Sequence, residues 1–184
     1  MASSWVAPRT WVTAEVPPAS TFNIHVRDNL SWLGNDAPAC RVRKNSDQSI
    51  ATGLVTPVPI TFPTGDATED TDPQAMHSLS VNPTRVTVPA GMGGLYAMGG
   101  NIEWDVNATG TRIAMILLNG TTQLVRDQRL GVASYGIDQS VSTIYRLAAN
   151  DYIELAVMHD RGSALLVKLS AARSPCLWTN WLQN

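Results

Sequence analysis

Charge is scarce in this 184-residue chain. Thirteen basic and fifteen acidic residues, 15% of the total, leave a formal charge of −2. Without a basic field there is no electrostatic footprint for nucleic acid or an anionic membrane surface. No apolar run approaches the ~18 residues of a spanning helix, so membrane insertion is not expected. Cysteine is scarcer still: Cys40 and Cys176 are too few and too widely spaced for a metal motif. A chain of this size can bury about two-thirds of its unfolded surface without staples. The start, MASSWVAPRTW, has neither a basic n-region leading into an apolar h-region nor a cleavage site. No secretory signal is therefore expected, and synthesis in a cytoplasm is. Catalytic patterns are missing too. His25, His77 and His159 stand in a predicted helix, strand and turn with no nucleophile motif, zinc-binding pair or phosphate loop beside them. Neither enzymatic activity nor a cofactor is expected.

What is present points to strands. Thr, Ser, Asn, Val and Gly are spread over short segments, which favours an all-β protein with uncharged polar residues on its solvent faces. The centre is Pro83 to Gly120. Arg85 to Val88 alternates and is closed by Pro89. A glycine-rich corner, 90–94, leads into a long strand through Tyr96, Met98, Ile102, Trp104 and Val106, all of one parity. After a turn over 107–110, Ile113 to Leu118 is apolar on both parities, so both its faces should be covered. Asn119-Gly120 then turns the chain.

Around this centre the sequence predicts strands at Ala39 to Arg43, Met76 to Val81, Gln123 to Val125, Ser140 to Leu147, Ala164 to Ser170 and Cys176 to Leu182. Gln48 to Thr61, broken by Gly53, Pro57 and Pro59, reads as an edge. A charged turn is expected around Asp127, and if Asn150 stands in a turn that needs positive φ, it is the best non-glycine substitute there. Gly65 to Gln74 reads as an acidic loop. Asp66, Glu69, Asp70 and Asp72 could hold calcium or simply be solvated, since the spacing lacks the pattern of a dedicated loop. No metal is assigned.

The N-terminus differs. Residues 1–20 hold Trp5, Trp11 and three prolines with almost no periodicity, an arm without a core of its own. It either lies against a partner or folds back on its own domain. From Ser20, read as an N-cap, Phe22, Val26, Leu30 and Leu33 recur at helical spacing, and Gly34 suits the C′ position. This predicts one short amphipathic helix, about 21–33, marginal on its own. His25 falls on its polar side as a solvated residue. Residues 1–36 thus form a docking arm and 37–184 a second unit.

Val86, Val88-Pro89, Gly94, Tyr96, Leu117, Asn119 and Gly120 resemble the signature of the tumour necrosis factor and complement globular-head superfamily. That resemblance implies an antiparallel two-sheet jelly-roll sandwich over about residues 38–184 and a homotrimer with Tyr96, Trp178 and Trp181 near the axis. In such folds the first and last strands pair, which would bring Cys40 and Cys176 within reach of each other. A second stretch, TWVTAEVPPASTFNIHVRDNLSWLG, resembles the N-terminal segment of tailed-bacteriophage virion proteins at Trp11, Val12, Glu15, Val16, Asn23 and Val26 to Leu30. Ala14 replaces the usual Gly. This resemblance implies a non-enzymatic structural protein, projecting from the particle as capsid decoration, head fibre or minor tail and tail-tip protein. It would dock to other virion proteins through Trp5, Trp11, Phe22, Val26, Leu30 and Leu33, with a host-surface glycan or protein as a further contact. The alternative is a soluble recognition module of the complement-head kind that binds a protein or glycan.

Overall fold

Alternation builds the central strand. In the computed structural model, which describes residues 5–170 and 175–183, β6 spans Gly94–Trp104. It buries Tyr96, Met98, Ile102 and Trp104 on one side. The strands before it are β1 (Ala39–Lys44), β2 (Gln48–Ile50), β3 (Gly53–Pro59), β4 (Ala67–Thr71) and β5 (Arg85–Thr87). After it come β7 (Asn107–Leu118), β8 (Thr122–Val132), β9 (Ile137–Leu147), β10 (Tyr152–His159), β11 (Leu165–Val167) and β12 (Cys176–Gln183). One antiparallel sheet runs β2-β11-β6-β12-β1-β4 with β9 also on β6. The other runs β3-β10-β7-β8 with β5 also on β10. The two sheets face each other across one core drawn from both. The fold is the expected all-β jelly-roll sandwich.

Residue chemistry explains the turns and the tight packing. Asn119 and Gly120 have φ of 52° and 72°, the pair of positive values that a two-residue hairpin between right-twisted strands requires. Asn150 has φ 70°, as its place in the β9–β10 turn asked. Gly99 and Gly100 make room for their neighbours, because a Cβ on Gly99 would stand 2.5 Å from the Trp178 ring and one on Gly100 would stand 2.8 Å from Leu155. The apolar run of β7 is covered on both faces: Ala114 and Ile116 join the main core, while Ile113, Met115 and Leu117 pack with Ala156 and Met158 outside it.

Several sequence expectations are corrected. Met76 to Val81 is not a strand, and only His77 bridges to Val86. The acidic loop contains β4, an edge strand paired with β1. The charged turn around Asp127 is the interior of β8, whose Asp127 stands opposite Ala114. The long strand stops at Trp104, so Val106 is an exposed turn residue. Asn107 already belongs to β7, which absorbs residues 108–110 as a bulge. Cys40 pairs with Thr179 and Cys176 with Arg43. This three-residue stagger sends the two thiols to opposite faces, and both are buried and unbonded.

The helix is longer than predicted. It runs over 19–36 and alternates α hydrogen bonding (Ala19–Phe22, Asn29–Ser31) with wider π turns (Asn23–Asp28, Trp32–Asp36). Pro18, not Ser20, precedes it, and Gly34 lies within its last turn.

Candidate docking and assembly surfaces

The arm is fastened to its helix by one side chain. Asn29, 5% exposed, accepts the Val6 N–H at 2.9 Å and donates to the Val6 carbonyl at 2.7 Å. It also donates to the His25 carbonyl. This reciprocal bond imitates a β-bridge and satisfies an extended strand that has no sheet. Trp5 then packs on Trp32 with ring centroids 5.7 Å apart, and Trp32 meets Trp181 edge-on at 5.2 Å. Gln74 Nε2 donates to the Asp36 carbonyl. The arm therefore does fold back on its own domain, but through one aromatic chain. A cleft of about 260 Å³ opens between the two, walled by Trp5, Trp32, Trp181, Pro38 and Met92.

Beyond Trp11 the arm turns sharply. Ala14 is held at φ 64°, the left-handed region that costs a residue with a Cβ roughly 1–2 kcal/mol. Glu15 closes the turn by accepting the Val12 N–H and an ion pair from Arg9. A glycine at position 14 would meet the same φ without strain.

The remaining arm residues face outward. Phe22, Leu30 and Leu33 are 51%, 64% and 49% exposed, Val26 is half-buried, and Trp11 leans its edge on His25 and its body on Phe22. His25 is thus not simply solvated, since its Nδ1 is buried without a hydrogen-bond partner. The face of the helix turned inward is Asn29 and Trp32, which the apolar stripe did not mark. Asn29 stands i+3 from Val26 and i+7 from Phe22, so the inward face borders the apolar stripe, and its only signal was the i, i+3 pair of Asn29 and Trp32 beside it.

The three residues assigned to a trimer axis do not share a surface. Tyr96 is fully buried, donates to the Met92 carbonyl at 2.6 Å, and has its phenol pushed up to about 12 by burial. It is a core residue, which corrects its assignment to an interface. Trp181 faces inward at the end of the sandwich and is capped by Trp32 of its own arm. Trp178 alone lies on the open face of the first sheet. Opposed residues of antiparallel strands share a face, so Trp178, Gly99 and Ser142 line up there, as do Asn180, Ala97 and Ile144. Arg41, opposite Trp178, joins this face as an ion pair with Asp70, and Ile144 is 60% exposed.

The four acidic candidates are already partnered. Asp70 takes Arg41 and Arg43, and the Arg43 hydrogen bond holds its carboxyl below the ordinary range. Asp66 takes Lys44 and Ser46. Partial burial pushes the Asp66 carboxyl up, but these two bonds outweigh it and leave it below its ordinary value. Glu69 binds His77 at 2.8 Å. Asp72 accepts the Met76 and His77 amides, and burial raises its carboxyl. Among the described residues no group of three or more His, Cys, Asp or Glu is arranged to hold a metal.

A buried polar knot escaped the sequence reading. Arg112, 0% exposed, donates to the carbonyls of Thr109, Thr111 and Asn107 within the β7 bulge. His159, also 0% exposed, donates from Nε2 to the Ile50 carbonyl at 3.0 Å and accepts the Arg161 N–H at Nδ1. Its ring meets Trp104 edge-on. Burial, with Arg112 and Arg161 nearby, holds His159 below its ordinary value despite the Ile50 bond and Asp160.

No family model matches the sequence, and no curated relative matches it. Solved structures do share its form. Murine APRIL is 13% identical, covering 79% of this chain and 99% of its own with a TM-score of 0.57. An Eiger TNF from S. frugiperda is 10% identical over 80% and 94%, with a TM-score of 0.53. The globular domain of a zebrafish complement 1qA protein is 11% identical over 80% and 99%, at 0.52. At these identities the likeness establishes the fold: a sandwich of the tumour necrosis factor and complement-head type.

Proposed function

We propose that the chain is a non-enzymatic virion structural protein of a tailed bacteriophage, a trimeric projection anchored by residues 1–36. The observation that carries this reading is the outward apolar stripe of Phe22, Leu30 and Leu33 on a helix whose sequence resembles the phage N-terminal segment. Exposed aromatic and aliphatic anchors on a helix face suit a groove in a partner protein. Three arms per trimer would multiply weak contacts. For the trimer, the support is the open face around Trp178 and Ile144, whose Arg41 is neutralised by Asp70, together with neighbours of the same fold. The sandwich then points away from the particle. Its far end, where β6 finishes beside Val106 and β9 begins after Tyr135, carries exposed Val106, Tyr135 and Leu169. These residues could meet a host-surface glycan or protein.

The test is a full-length chain with Phe22→Ser, Leu30→Ser and Leu33→Ser. It is expected to remain a folded trimer by sedimentation and to vanish from purified particles; normal occupancy on the particle would overturn the docking role. Imaging of labelled particles assigns head or tail. The neighbours' ligand and recognition domains favour a second reading, a soluble recognition module. That reading predicts a protein recovered free of particles whose surface binding is indifferent to the three serine changes.

A further inference from the structure

We propose that the tryptophan cleft between arm and sandwich receives the Val16-Pro17-Pro18 segment from a second copy of the chain. The cleft is uncharged along its whole lining. Its walls are the indoles of Trp5, Trp32 and Trp181 with Pro38 and Met92. At about 260 Å³ it falls below the range of roughly 300–1,000 Å³ that holds a cofactor-sized ligand, so one or two compact side chains suit it. It also has a donor to offer. Trp32 is 4% exposed, and its Nε1–H is buried with no acceptor among the described residues. Flat apolar walls plus an indole N–H are the elements that recognise an extended proline segment: rings stack on the indoles, and a tertiary-amide carbonyl, which has no N–H of its own to satisfy, accepts the bond.

The chain carries such a segment in presentable form. Val16 is 92% exposed, and Pro18 has φ −63° and ψ 150°, the polyproline II conformation. Directly before it stands the turn in which Ala14 is forced to φ 64° and Glu15 is pinned by Val12 and Arg9. A non-glycine residue kept in that region is worth a functional explanation. Here the turn fixes the direction in which Val16-Pro17-Pro18 leaves the arm. The segment is preordered, so its docking costs little conformational entropy. Each copy would then lend a neighbour the residues that complete its arm-to-sandwich joint.

This inference rests on the assembly proposed above, and the experiment separates the two. A synthetic peptide, acetyl-AEVPPAS-amide, is titrated into the full chain carrying Pro17→Ser and Pro18→Ser, with tryptophan emission as the readout. The expected result is saturable binding below about 1 mM, weakened about tenfold or more by adding Trp5→Ala, and weaker binding to the unaltered chain, whose own segments compete. Absence of a saturable change overturns the inference, as does an unrelated proline-rich peptide that binds about tenfold tighter, which would assign the cleft to a foreign partner. Sedimentation of the same variant reads the trimer independently. A trimer that persists while the peptide fails to bind removes this inference and leaves the assembly standing.

Discussion

Strand β7 and the N-terminal helix are both rich in apolar residues, and they dispose of them in opposite ways. Ile113 to Leu117 is buried on both faces of its sheet, whereas Phe22, Leu30 and Leu33 of the helix stay about half exposed or more. The sandwich buries most of its apolar strand residues in its own core, leaving isolated ones such as Leu130 and Ile144 exposed. The arm has a small core of Trp5, Asn29 and Trp32 and keeps the rest turned outward. A free apolar stripe on a single-chain helix marks a surface with business elsewhere. The contrast divides a part that carries stability from a part proposed to carry attachment.

The sharpest break of that contrast is in the core. Trp104 is 0% exposed in the core at the end of β6, donates to Gln139 Oε1 at 2.8 Å and supports His159 and Arg112. Trp104→Ala is expected to cost about 3–5 kcal/mol, read as a lower denaturant midpoint. Leu30→Ser, an equally apolar position by sequence, should stay within about 0.5 kcal/mol. Equal losses from both would mean that the arm belongs to the cooperative unit.

The next effect depends on pH. Burial holds His159 below its ordinary value in the folded chain, so as pH falls below about 6.5 the unfolded chain binds a proton that the folded chain resists. Stability should be full above about pH 6.5 and decline as pH falls, by up to about 1.4 kcal/mol per unit for this one group. Protonation would put a second cation beside Arg112 and cost Nδ1 its role as acceptor for Arg161, loosening the β2–β3 turn held through Ile50. Asp70 and Asp66, held low by their cations, lose their contribution only at more acid pH. His159→Gln is expected to flatten the profile just below about pH 6.5 and leave the more acid limb. An unchanged slope would assign the acid sensitivity to another group.

The same division governs what could be read from the chain. Local rules were legible: Asn119-Gly120 and Asn150 adopt positive φ because turn geometry demands it, and the double parity of Ile113 to Leu118 anticipated coverage on both faces. Long-range pairing was not. Ala67 to Thr71 reads as a polar loop because nothing in its sequence shows that Arg41 and Arg43 of β1 will neutralise Asp70. Asp127 reads as a turn residue for a similar reason, since an edge strand such as β8 tolerates charges on its open side. In the arm the apolar stripe marked the face that is left over, because the packed face is built from one amide and one indole. Tyr96 was placed at an axis by analogy, but its parity with Met98 and Trp104 already put it inside.

A smaller effect tests the open face of the first sheet. Gly99→Ala would place a Cβ about 2.5 Å from the half-buried Trp178 ring, which must swing off the sheet. The loss to the folded protomer should be about 1–2 kcal/mol, as for overpacking at a site that can partly give way. The displaced indole would roughen the face proposed to join copies, so trimer dissociation at low micromolar concentration should rise more than the melting temperature falls. If only the melting temperature moves, Trp178 serves its own protomer and the contact between copies lies on another face.

The smallest effects come from exchanging alanine and glycine within the arm. Gly34 lies inside the last helical turn with nothing within 4 Å of where a Cβ would stand, so Gly34→Ala should stabilise the helix by about 0.5–1 kcal/mol. Ala14 sits at φ 64°, and Ala14→Gly should relieve strain there by about 1 kcal/mol, less the entropy that glycine adds to the unfolded arm. Both changes act on residues that the sandwich does not touch. They should slow amide exchange over residues 12–36 and leave the global denaturant midpoint unmoved. Their effects on attachment should then diverge. A more persistent helix presents Phe22, Leu30 and Leu33 better and should raise occupancy on particles. A glycine at position 14 frees the turn that aims Val16-Pro17-Pro18 and should weaken the joint between copies, although the arm itself has become more stable. Parallel changes in exchange and occupancy for both variants would show that the strained turn aims nothing, and that the arm's value to its partners is measured by its stability alone.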